Sequence, residues 1–170
     1  MLVGAAWGAM NWDVALKFLN RVSAGVSDPI LGRDAGFYLF ALPFYDFVYW
    51  LLLGLAFISL LAAAVFLFMP RREEELRAGW WERGWDRSYA DYRPSYAALG
   101  AMGLVIAWGY YLNIFYLMYS RLGAVAGPGW TDVHVRWPAY WIMVAVAAAA
   151  GSWLLMLAVA RRLHDWAAQK

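Results

Sequence analysis

The sequence predicts an all-α integral membrane protein with three transmembrane helices. Three observations carry that prediction. Phe47 to Met69, Pro94 to Ser120 and Trp137 to Ala160 contain no Asp, Glu, Lys or Arg, and each is apolar and longer than 20 residues. A hydrocarbon core about 30 Å thick takes roughly 20 apolar helical residues to cross. The chain is 64% hydrophobic and 15% charged, against about 45–50% and about 25% in soluble domains. A soluble fold of 170 residues could not hide that much apolar surface. The spans are placed at about 44–69, 95–119 and 138–160, within a single membrane domain covering residues 1–170.

Residues 1–22 read as an interfacial, re-entrant or truncated helix. Met1 to Met10 lacks the positive start of a signal peptide, and its apolar stretch breaks at Asn11-Trp12-Asp13. From residue 11 to 21, Trp12, Leu16 and Leu19 recur at helical spacing, with Phe18 beside them. Asp13 and Lys17 face the other way as an i,i+4 pair. That apolar stripe fits a membrane surface, and it equally fits packing against the spans.

Residues 23–43 read as an outer loop. Asp28-Pro29 is a helix-start signal, with Gly32 and Gly36 as punctuation. Phe37, Phe40, Phe44 and Phe47 then recur at helical spacing, with Tyr38, Tyr45, Tyr49 and Trp50 around them. Rings at this density mark a membrane–water boundary. Pro43 is expected to start the first span, which places Asp46 in its first turn, favourably for the helix dipole.

Residues 70–94 form a connector with six arginines and six acids, including the pair Glu73–Arg77 and an aromatic set of Trp81, Trp85, Tyr89 and Tyr92. Its own charges cancel. Residues 120–137 are a second outer loop, and Pro138 stands near the start of the third span. Arg161 and Arg162 are expected to stop that span, leaving 161–170 as a polar tail. Nine Lys and Arg fall in the connector and tail, and five in the outer loops and residue 17. The bias toward basic residues on the inner side therefore puts connector and tail in the cytoplasm. The expected location is the inner membrane of a bacterial cell.

Helix packing has candidates in small residues one turn apart: Gly103 and Ala107, Ala147 and Gly151, Ala148 and Ser152, and Ser59 and Ala63. Lipid tails are as apolar as leucine, so close backbone approach is what holds spans together.

Several chemistries are set aside. The chain has no cysteine, which excludes disulfides, thiolate nucleophiles and Cys metal sites. A formal charge of +2 with no unbroken basic run gives no reason to expect a nucleic-acid partner. The two histidines, His134 and His164, lie outside the uncharged runs, so no pigment ligation by this chain is expected. No catalytic residue and no cofactor are predicted. The candidates for a metal are Asp28, Asp34, Asp132 and His134, because oxygen and imidazole ligands from both outer loops would meet on one side. Against this, Asp28 and Asp34 would serve as helix caps, and Thr131-Asp132 would shape a turn after Gly127-Pro128-Gly129.

The loops carry the most specific signal. The run Asp28-Pro29-Ile30-Leu31-Gly32-Arg33-Asp34-Ala35-Gly36-Phe37-Tyr38-Leu39-Phe40-Ala41-Leu42-Pro43-Phe44 resembles a motif of uncharacterised protein family 0182. Trp12 and Phe18-Leu19-Asn20 fit the same family. So do Tyr111-Leu112, Tyr119-Ser120, Gly127-Pro128-Gly129-Trp130-Thr131-Asp132-Val133 and Pro138-Ala139. The resemblance covers roughly residues 11 to 145. It departs at Leu31, where an aromatic is usual, and at His134-Val135-Arg136-Trp137. It implies a large multi-spanning bacterial membrane protein with an extracytoplasmic domain, of which this chain would be a fragment or a reduced member. The family has no assigned activity, so the resemblance implies no site residue.

The expected function is that of a non-catalytic subunit which packs with other membrane subunits and the lipid bilayer to stabilise a larger assembly. An accessory subunit of an energy-transducing or photosynthetic complex would be one form of it. The alternatives are part of a transporter or channel, and an outer-face cation-binding or enzymatic site in the two loops.

Overall fold

The computed structural model describes residues 2–68, 92–120 and 127–168. The expectations for most of the connector, including Glu73–Arg77 and the Trp81 set, lie outside them. Helix α1 is Leu2–Leu19. A π-helical segment, Phe37–Ala41, leads into α2, Leu42–Phe68. Helix α3, Arg93–Tyr116, ends in a 3-10 turn at Leu117–Tyr119. A second π-helical segment, Asp132–Arg136, leads into α4, Trp137–Ala168. Among the described residues the one β-type pairing is an isolated antiparallel bridge between Ser27 and Asp34. Among the described residues three helices are long and apolar enough to cross a membrane: Phe37–Leu67, Arg93–Tyr119 and Asp132–Val159. The chain is all-α, as the uncharged runs predict.

Helix α1 itself runs through Asn11-Trp12-Asp13, within the helix expected over residues 1–22, and the Asp13 carboxylate pairs with Lys17 Nζ at 2.9 Å. Three boundaries differ from expectation. The first spanning helix starts before Pro43, so Asp46 sits about nine residues, or about 14 Å of helix rise, past Phe37 rather than in a first turn. The third starts before Pro138, and Thr131-Asp132 belongs to its first turn rather than to a loop. Finally, Arg161-Arg162 does not end α4, which continues to Ala168.

Both early starts have one cause. Proline inside a helix lacks an N–H and clashes with the carbonyl four residues back. Pro43 and Pro138 each follow a five-residue π segment by two positions, and the wider π turn makes room for the ring. Leu42 N–H reaches back five residues to the Phe37 carbonyl, and Trp137 N–H reaches the Asp132 carbonyl. The next link in the first segment would run from residue 43 to the Tyr38 carbonyl, and Pro43 cannot supply it. Tyr119 Oη donates to that carbonyl instead, at 3.0 Å.

The chain divides into two compact units. The first is Met1–Leu52 with Trp108–Val144. Its core is Tyr38, Leu42, Leu112 and Phe115, flanked by Phe37, Tyr45 and Trp108, and Leu42 is fully buried. Phe37 meets Phe115 edge-on at 5.0 Å. Phe18 of α1 stacks on Phe44 at 4.1 Å, while Trp12, Leu16 and Leu19 stay exposed. The apolar side of α1 is thus split: one ring packs and the stripe remains open. Tyr49 lies against Gly109, where an added Cβ would come within 2.6 Å of the ring.

The second unit is Leu53–Ala107 with Ala145–Lys170. Here α3 and α4 cross backbone to backbone. A Cβ added to Gly151 would lie 2.8 Å from the Gly100 carbonyl oxygen and 2.9 Å from the Leu104 amide nitrogen. One added to Gly103 would lie 3.0 Å from Gly151 Cα and 3.5 Å from the Ala147 carbonyl oxygen. Gly103, Ala147 and Gly151 meet at this crossing, and Gly100 joins them. Ala107 is buried, whereas Ser152 is exposed. Arg93 Nε donates to the Ala158 carbonyl at 3.4 Å. On α2, Ala56 and Ala63 are buried and Ser59 Oγ donates to the Ala56 carbonyl.

Candidate functional site

The loop-borne acids all fall in the first unit, so their surroundings decide what they can do. Asp28 opens a tight turn. Its Oδ1 accepts from Ile30 N–H at 2.9 Å and its Oδ2 from Leu31 N–H at 2.8 Å. Tyr38 Oη adds a third bond to Oδ2 at 3.0 Å. Gly32, at φ +66, closes the turn by donating its N–H to the Asp28 carbonyl. An L side chain rarely adopts that φ, which is why glycine stands there. Asp28 thus caps a turn, as a residue before proline does well.

Asp34 is the hub of the loop. Its Oδ1 accepts from Ala24 N–H at 3.0 Å and Gly36 N–H at 2.6 Å, and its Oδ2 from Ser23 Oγ at 2.7 Å and Gly25 N–H at 3.0 Å. The Ala24 amide and the Ser23 hydroxyl, then the Gly36 and Gly25 amides, hold this carboxyl below the usual carboxylate range, because all four bonds favour the charged form. Gly36 must be glycine: a Cβ there would sit 2.6 Å from the Val22 carbonyl oxygen and 2.7 Å from Asp34 Oδ1.

Asp132 is buried, with 2% of its surface exposed. Its Oδ2 accepts from Gly129 N–H at 3.1 Å, and the Gly129 carbonyl accepts from Val133 N–H at 3.2 Å. An acid three residues into a helix thus reaches back to the first orphan amide, as in a capping box. Its Oδ1 holds Arg136 Nη1 at 2.9 Å. His134 lies one turn past Trp130, stacked on its ring at 4.5 Å. Its Nδ1 meets the Trp130 carbonyl at 3.0 Å. A carbonyl only accepts, so Nδ1 carries the proton there.

Asp28 and Asp34 are thus joined through one loop, and Asp132 and His134 share a helix start. Among the described residues, no three His, Asp or Glu side chains come together in a way that could hold a metal ion.

Sequence reasoning missed a cavity of about 560 Å³ beside the Asp34 loop. Arg33, Phe37, Ala41 and Tyr45 line it at four-residue steps, while Trp108, Tyr111, Leu112 and Phe115 line it from α3. Arg21 and Ser23 complete the rim. The four-residue ladder from Arg33 was the available signal. The opposing wall is more than 60 positions away in the chain, and no local pattern pairs the two.

Residues 1–169 match the uncharacterised protein family UPF0182. A family protein of Pelobacter propionicus is 39% identical over 152 residues, covering 89% of this chain and 16% of its own length. One from Geobacter sp. (strain M21) is 38% identical over 162 residues, covering 94% of this chain and 17% of its own. One from Bradyrhizobium diazoefficiens is 36% identical over 155 residues, with coverage of 89% and 16%. The chain therefore spans about a sixth of the length of these curated relatives. No solved structure matches it. With the match running over nearly every residue, the chain belongs to the uncharacterised protein family UPF0182.

Proposed function

We propose that this chain is a non-catalytic membrane segment that packs with other membrane subunits and stabilises a larger assembly in the bacterial inner membrane. In this reading the Asp34 loop and the helix start at Asp132 lie outside and the connector lies in the cytoplasm. One observation carries the proposal: the loop carboxylates are committed to their own backbone and neighbours. Asp28 takes three donors, Asp34 four, and Asp132 an amide and a guanidinium. A carboxylate that holds a loop in this way is a poor general base, because taking up a proton would break the fold around it.

The outward faces of the helices supply the surface for partners. On α4, Val146, Trp153 and Met156 are exposed along one side, opposite the Ala147 and Gly151 face. A photoreactive amino acid at Val146, which is 63% exposed, tests this in native membranes. The proposal expects one discrete protein adduct on illumination. Adducts to lipid alone would reject it.

A further inference from the structure

The cavity beside the Asp34 loop is polar at its rim and aromatic along its walls. Arg21 and Arg33 stand at the rim with Ser23. Neither guanidinium is ion-paired to a carboxylate among the described residues. Each lies over rings instead: Arg21 Cζ is 4.5 Å from the Phe18 centroid, and Arg33 Cζ is 5.4 Å from Phe37 and 5.7 Å from Phe115. A guanidinium that lies over an aromatic face and has no carboxylate partner has N–H donors to offer an oxyanion. Among the described residues Asp34 is the one acid in the lining, and its four internal donors occupy both oxygens. The lining thus carries two cations against one committed anion.

The wall below is apolar. Phe37, Ala41 and Tyr45 rise along one helix face, facing Trp108 and Leu112. From Phe37 to Tyr45 the rise is about 12 Å at about 1.5 Å per residue. A small soluble anion at the rim would leave this wall wet, whereas a head with an apolar tail would fill both parts. The volume of about 560 Å³ falls within the usual range for ligand cavities, about 300–1,000 Å³.

We propose that this cavity binds an anionic phospholipid, with its phosphate paired to Arg21 and Arg33 and an acyl chain along the wall of Phe37, Ala41 and Tyr45. A basic side chain near an anionic lipid surface contributes about fivefold in affinity, so the two together give about 25-fold. Native mass spectrometry of the purified chain with added phosphatidylglycerol or phosphatidylcholine of identical acyl chains tests it. The chain should retain one phosphatidylglycerol in preference to phosphatidylcholine, and millimolar inorganic phosphate should not displace it. Replacing both arginines, Arg21→Gln with Arg33→Gln, should weaken retention about 25-fold. Lysine at both positions should restore most of it, which separates charge from folding should the glutamine variant misfold. Equal retention of the two lipids would overturn the proposal. So would unchanged retention in a folded glutamine variant, and so would displacement by inorganic phosphate, which would mark a soluble-anion site.

Discussion

At Asp34 one carboxylate replaces a whole segment of secondary structure. Residues 20–34 contain no helix, and the Ser23, Ala24 and Gly25 donors would otherwise need water or a strand partner. The same side chain also takes Gly36 N–H at the start of the helix, so it joins loop to span. The bonds hold its folded-state pKa below the ordinary value of 3.8. The unfolded chain therefore takes up the proton first on acidification. The contribution is full above that ordinary value and is lost as pH falls through the lowered one. Thermal unfolding in detergent should show the wild-type midpoint falling on acidification below about pH 4. In Asp34→Asn that portion of the acid dependence should vanish, and the midpoint should already be lower at neutral pH. Parallel curves for the two proteins would remove Asp34 from its role. The importance of Asp34 was legible only in part. Its residue type and its place before Gly36 suggest a cap, but bonds to positions 23–25 come from a chain reversal that spacing does not encode.

Among the elements, the spans were the most legible, because length and absence of charge follow directly from bilayer thickness. Their starts were not. Pro43 and Pro138 normally read as first-turn residues, and the π segments that admit them inside a helix depend on distant partners such as Tyr119. The α3–α4 crossing lies between these extremes. Gly103, Ala147 and Gly151 could be read from small-residue spacing, but Gly100 could not, and Ser152 faces outward. In lipid the crossing is held by close van der Waals contact and not by a hydrophobic drive. Gly151→Ala should therefore cost about 1–3 kcal/mol, because the new methyl meets backbone that cannot move aside. Gly54→Ala has open space around its Cβ and should be neutral or stabilising by up to about 1 kcal/mol through helix propensity. Unfolding by SDS titration in mixed micelles measures both. Equal effects at the two sites would show that the crossing is not a tight one.

At the scale of the whole molecule three facts meet: helices fit to cross a membrane, acids bound by their own loop or helix start, and a match to about a sixth of much longer relatives. Membership of the family was legible from the loop motifs, whose Gly32 and Gly36 and whose Asp28 and Asp34 are residues that the turns there require. The arginine-rimmed cavity was not, because it exists only where two distant helices come together. The central claim is that the chain works as packing material within a larger membrane assembly. The most direct test is the molar mass of the tagged chain, extracted from its own membranes in mild detergent and measured by light scattering with subunit identification. The account predicts a discrete complex of fixed stoichiometry containing other membrane proteins. A solitary chain that moves ions or solutes when placed in liposomes would contradict it.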